Sequence, residues 1–179
     1  MANILILRSA NTGDEDIKTG VAEVELENGF AVALGEVSTE RKTRNAYKVD
    51  AATADTDIIG LVYNADVPFL TDEMGNVYKG VVSDPRNIKF PAGTPVNIWI
   101  PGKNAEIAMT KVAGTADGAT HVVYKANDMK PTYATDTTDA LLAFKITGSK
   151  YVSIGADRVP TVEMIKVKVS GTTETDVQG

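Results

Sequence analysis

The chain contains no cysteine, one histidine and one tryptophan among 179 residues. Without cysteine there is no disulfide framework, no thiolate metal ligand and no cysteine nucleophile. A single histidine leaves zinc short of its usual nitrogen and sulfur ligands. It also leaves a Ser-His-Asp arrangement with only one possible base, and no Gly-x-Ser-x-Gly elbow stands ready to supply the nucleophile. That histidine, His121, opens the alternating stretch His121-Val122-Val123-Tyr124-Lys125 and reads as an ordinary strand residue. Basic runs are equally scarce. The nearest, Arg41-Lys42-Thr43-Arg44, lacks interleaved aromatics, and a net charge of −6 repels phosphate backbones, so no nucleic acid partner is expected. Long apolar runs are missing too: none approaches the ~18 residues of a membrane helix. Met1 to Arg8 is too short in apolar residues, and too poor in basic ones, for a signal segment. No membrane partner is expected, and synthesis in the cytoplasm is.

Carboxylates are the one abundant chemical resource, with 24 Asp and Glu against 18 Lys and Arg. Asp14-Glu15-Asp16 and Asp72-Glu73-Met74-Gly75-Asn76 offer oxygen ligands of the kind hard cations take, but neither follows the EF-hand spacing. The first reads as a solvated loop and the second as a turn. Gly102-Lys103-Asn104 and Gly148-Ser149-Lys150 lack the upstream glycine of a phosphate-binding loop and the helix that should follow it. No catalytic, cofactor-binding or metal residue is therefore assigned, no cofactor is expected, and the chain is read as no enzyme. Trp99, within Asn97-Ile98-Trp99-Ile100-Pro101, is a candidate surface aromatic for sugar stacking, although core or interface burial is the commoner fate of tryptophan.

What is present is period-two alternation punctuated by Gly, Pro, Asn and Asp. Ile4–Leu7 reads as an N-terminal strand. Val21–Glu27 and Phe30–Leu34, joined by Asn28-Gly29, predict a hairpin with a type I′ turn. Further strands are expected at 46–49, 57–63, 67–70, 77–82, 87–90, 95–100, 106–112, 121–125, 141–147, 151–154 and 162–169, with a hairpin turn at 71–76. Residues 136–144 suit either a helix or a strand. The fold class that follows is all-β, a β-sandwich or β-barrel-like arrangement of many short antiparallel strands with little helix. A composition shift near Gly114–Gly118 divides the chain into a main β domain (1–113), a second β portion or outer subdomain (114–169) and a tail (170–179).

With catalysis unsupported, assembly is the remaining function class. Strand edges need covering, and a strand that begins near residue 3 is well placed to pair with a neighbour. Asn3, Ile4, Leu5, Ile6, Leu7 and Arg8 are therefore the expected subunit or partner contact. The stretches Glu27-Asn28-Gly29-Phe30-Ala31-Val32-Ala33-Leu34-Gly35 and Ile58-Ile59-Gly60-Leu61-Val62-Tyr63 resemble a pattern of small β-proteins in tailed-bacteriophage heads. Met1–Gly13 and Asp84-Pro85-Arg86-Asn87-Ile88-Lys89-Phe90-Pro91 are similar to phage structural proteins encoded near capsid genes. The resemblance covers about the first two-thirds of the chain; from Gly114 onward it finds no counterpart. It implies a capsid decoration (cement or head auxiliary) protein on the virion surface, a homo-oligomer bound to the major capsid protein. A tail or head-fibre protein and a carbohydrate-binding, adhesin-like module are the alternatives.

Overall fold

The computed structural model describes residues 3–9, 14–64, 70–71, 77–78, 88–154 and 156–167. They are all-β: no helix occurs among them. In chain order the strands are β1 (Leu5–Ser9), β2 (Asp16–Val21), β3 (Ala31–Val37), β4 (Tyr47–Asp50), β5 (Ile59–Val62), β6 (Leu70–Thr71), β7 (Val77–Tyr78), β8 (Val96–Ile100), β9 (Glu106–Met109), β10 (His121–Lys125), β11 (Thr132–Ala134), β12 (Ala140–Ile154) and β13 (Asp157–Val167). Five of them close a barrel in the order β2-β4-β3-β5-β8, and six form an open sheet in the order β1-β9-β13-β12-β10-β11. β6 and β7 pair only with each other, through Leu70↔Tyr78 and Thr71↔Val77, as the expected hairpin requires; its turn, 72–76, and the 170–179 tail lie outside the described residues.

Alternation explains how the two units share a core. In β3, β5 and β8, successive side chains point to opposite faces. Val32, Val62 and Ile98 point into the barrel, where they meet Leu26, Val49 and Phe90. Their neighbours Ala31, Leu61 and Trp99 point out and pack on Ile107, Met109, Val122, Tyr124, Phe144 and Met164 of the sheet. The buried Tyr124 hydroxyl completes the junction by donating to the Gly29 carbonyl at 2.7 Å. Its ring meets Phe144 edge-on, with centroids 6.4 Å apart.

Several expectations change. Asn28-Gly29 does form a turn, with Phe30 N–H donating to the Glu27 carbonyl at 3.2 Å, but it joins no hairpin. β2 ends at Val21 and pairs with β8 and β4, while β3 pairs with β4 and β5. Of the two central residues only Gly29 has a positive φ, 81°, the type II pattern and not type I′. Asn28 is committed elsewhere: its side chain accepts from Asn64 N–H at 2.8 Å and donates to the Asn64 carbonyl at 3.3 Å. Of the strand expected at 87–90, Asn87 is not described, and Phe90 makes only an isolated bridge to Leu26. Residues 141–147 and 151–154 are parts of one strand, because Gly148 sits at a bulge and not in a turn. The ambiguous 136–144 segment is a turn followed by the start of β12. The six-stranded sheet takes β1 and β9 from before position 113/114 and β10–β13 from after it.

Two glycines make room for Ile98 at the barrel centre. A Cβ on Gly60 would stand 2.4 Å from Ile98 Cγ2 and 3.1 Å from the Trp99 carbonyl oxygen, and one on Gly20 would stand 2.7 Å from Ile98 Cγ1. Ile98 is fully buried and β-branched, so it has little freedom to yield. Gly60→Ala is expected to destabilise the fold by about 1–3 kcal/mol through overpacking. Urea unfolding of the variant measures this; an unchanged midpoint would remove the glycine from the packing argument.

Candidate functional site

The N-terminal contact candidates form an integral edge of the sheet. β1 pairs antiparallel with β9 through Leu5↔Met109, Ile6↔Ala108 and Leu7↔Ile107. Thr110 N–H donates to the Ile4 carbonyl, which fixes the parity of the ladder: Ile4 and Ile6 face β9 with their backbone groups. Leu5 and Leu7 therefore aim their N–H and C=O groups at the open edge, and among the described residues no strand covers that edge. The side chains of Leu5 and Leu7 pack into the shared core. Asn3 is buried, its Oδ1 accepting from Lys111 N–H at 3.0 Å and from the Thr110 hydroxyl at 3.3 Å. A segment anchored in this way cannot be removed as a detachable arm without opening the core.

Arg8 ties the same strand across β9 to β13. Its Nε and Nη2 donate to the two Glu163 carboxylate oxygens at 3.1 and 2.8 Å, and the buried Thr161 hydroxyl donates to one of them at 3.3 Å. These bonds, Arg8's first, hold the Glu163 carboxyl below its ordinary pKa despite the opposing effect of burial. A lowered native pKa means that the stabilisation is present above the ordinary glutamate value of about 4.3 and is lost as pH falls through the native value. Glu163→Gln should cost about 1–2 kcal/mol at neutral pH. The gap to the unmodified protein should shrink on acidification below about pH 4.3. Thermal unfolding of both forms across that range tests it, and a gap independent of pH would refute the assignment.

The remaining candidates do not converge. Trp99 is not a surface aromatic. It is 1% exposed, because the β8 alternation turns it into the barrel–sheet junction, where its indole N–H donates to Glu15 Oε2 at 3.4 Å. The carboxylates of the first acidic loop diverge to separate partners: Asp14 accepts from Lys103 N–H, Glu15 from Trp99, and Asp16 pairs with Lys18. Asp72 and Glu73 lie outside the described residues. Among the described residues no three acidic, histidine or cysteine side chains gather to hold a metal. His121 Nδ1 shares a 2.8 Å hydrogen bond with the Thr120 hydroxyl, which itself donates to the Thr135 carbonyl. Gly148-Ser149-Lys150 is strand, and Lys103 and Asn104 border a cavity of about 650 Å³ with Asp14 and Lys166. There Lys166 donates to the Pro101 carbonyl at 2.6 Å, and burial lowers its pKa. A second cavity, of about 270 Å³, is bordered by Asn3, Glu27, Lys111 and Lys130. The buried Glu27 carboxylate is countered there by Lys111 at 3.4 Å and Lys89 at 3.7 Å.

No family model matches the chain. No curated protein matches it.

Among the described residues, two exposed features of the six-stranded sheet are not used by the core. One is the open edge of β1. The other is the outer half of the β12–β13 hairpin, which sequence reading missed because it took Gly148 for a break. The signal lies in the alternation on either side of that glycine, Phe144-Lys145-Ile146-Thr147 before it and Tyr151-Val152-Ser153-Ile154 after it. Because Trp99 is the sole tryptophan, its fluorescence reports the junction directly. Emission should be blue-shifted, shielded from acrylamide and unmoved by added sugars. Quenching at the rate of a free indole would overturn its placement.

Proposed function

We propose that the chain is a non-enzymatic virion structural protein that binds the outer surface of a phage capsid and stabilises or decorates it. The observation that carries this reading is the open β1 edge. Leu5 and Leu7 present two consecutive sets of outward backbone donors and acceptors on a strand whose side chains are locked in place. A strand from a shell subunit or a sister copy can add there, with hydrogen bonds supplying affinity and alternate side chains supplying register. Two further observations support it: the resemblance of 27–35 and 58–63 to phage head proteins, and the dispersal of the polar candidates over separate partners. Burial of Trp99 removes the aromatic platform on which the carbohydrate-binding alternative leaned. The partner is the major capsid protein, and many copies on a lattice turn weak individual contacts into stable occupancy.

The test uses shells of the virus that encodes the chain. Ile6→Lys places a charge beside the edge on the face away from the shared core, a device that blocks strand pairing. Leu7→Pro removes an outward N–H that β9 does not use. Co-sedimentation should show shell occupancy reduced by roughly tenfold or more for each. The circular dichroism of Ile6→Lys should stay unchanged, which separates lost contact from lost fold. Full occupancy with both variants would sink the edge-binding reading.

A further inference from the structure

β12 and β13 outrun the sheet that holds them. β10 accompanies β12 only as far as Lys145, and β9 accompanies β13 only from Val162. From Lys150↔Thr161 to Ile154↔Asp157 the two strands pair with each other alone. That is a ribbon about 17 Å long at ~3.3 Å per residue. An isolated two-stranded ribbon is marginally stable in water, so this one needs something to pack on. Its register puts Tyr151, Arg158 and Pro160 on one face and Val152, Ile154 and Val159 on the other. Tyr151 is 61% exposed, and the Arg158 guanidinium lies 4.9 Å from its ring centroid. Tyrosine and arginine are the residue types that anchor protein interfaces, and here they are stacked and held at the surface. Pro160 withholds a backbone N–H, so the β13 side of the ribbon is a poor template for strand addition and docking falls to the side chains.

The barrel carries a matching surface. β2 and β4 are joined by only two residue pairs, Gly20↔Tyr47 and Val21↔Lys48, and beside that seam lies a groove of about 710 Å³. Val24, 48% exposed, lines it, and its acidic lining residues Glu23, Glu40 and Asp50 outnumber Lys42 and Lys48. The wider segment 14–57 is also acidic, with eleven Asp and Glu against five Lys and Arg, whereas 145–158 carries Lys145, Lys150 and Arg158 against Asp157 alone. We infer that the ribbon of one copy docks, Tyr151 and Arg158 foremost, in the barrel groove of a second copy. The contact is heterologous, ribbon to groove, so a joined pair keeps one free ribbon and one free groove, and further copies add as a ring or chain.

The inference concerns the free protein and stands or falls apart from shell binding. Sedimentation velocity of the full chain should show association that rises with protein concentration and weakens with salt. Arg158→Glu on the ribbon, or Glu23→Lys with Glu40→Lys in the groove, should each weaken it by roughly tenfold or more, with unchanged circular dichroism. The ribbon variant and the groove variant, mixed, should give a discrete heterodimer, because one intact ribbon and one intact groove remain between them. A monomer at every concentration, association indifferent to both variants, or a mixture that forms no heterodimer would each overturn it.

Discussion

The structure depends on three strands that are buried on both faces where they meet the sheet, β3 only in its first half. β3, β5 and β8 each send one residue into the barrel and the next into the junction with the sheet, and neither unit has a complete core without them. The Tyr124–Gly29 hydrogen bond closes this junction in a place where an unpaired hydroxyl or carbonyl would cost about 1–3 kcal/mol. The register of the three strands is therefore tightly specified. A slip by one residue would bring Trp99 and Leu61 into the barrel in place of Ile98 and Val62, and the space left by Gly20 and Gly60 is the space that Ile98 fills.

That double burial also governs how far the sequence could be read. The all-β class and most strands were legible because turn residues punctuate them and alternation marks them. The fate of Trp99 was not, since Ile98-Trp99-Ile100 has apolar side chains on both faces and gives no sign of which one meets water. Asn28-Gly29 was misread for a related reason. A local rule identified the turn, but the partners of the flanking strands are set by distant segments: β2 by β8, and Leu26 by Phe90. The Arg8–Glu163 pair spans 155 positions and carries no local signature at all. Gly148 looked like a break because glycine in a strand usually weakens it, and here the bulge absorbs it within a ladder that continues on both sides.

The N-terminal segment serves the fold before it can serve a partner. Asn3 to Arg8 does lie at a sheet edge, but its side chains are spent on the fold: Leu5 and Leu7 in the core, Asn3 on Lys111, Arg8 on Glu163. What the segment has left to offer a partner is backbone, with the half-buried side chains of Ile4 and Ile6 beside it. Backbone pairing accepts many sequences and discriminates mainly by register and shape, so any specificity at this edge has to come from the side chains that border it.

The ribbon and groove have the opposite character. Their proposed contact is made by side chains, through a stacked Tyr–Arg pair and a charge difference between the two ends of the chain, and it would be sensitive to single substitutions and to salt. A surface lattice asks for both kinds of contact. An edge that pairs with a shell subunit fixes where a molecule sits, while a weak heterologous contact between copies lets occupancy at one site favour the next. Neither contact need be strong alone, because linking them raises the effective concentration of the second once the first has formed. The outer part of the β12–β13 overhang, with Tyr151 and Arg158 at the surface, lies outside the shared core, and on the proposed reading it is the part that meets a neighbour.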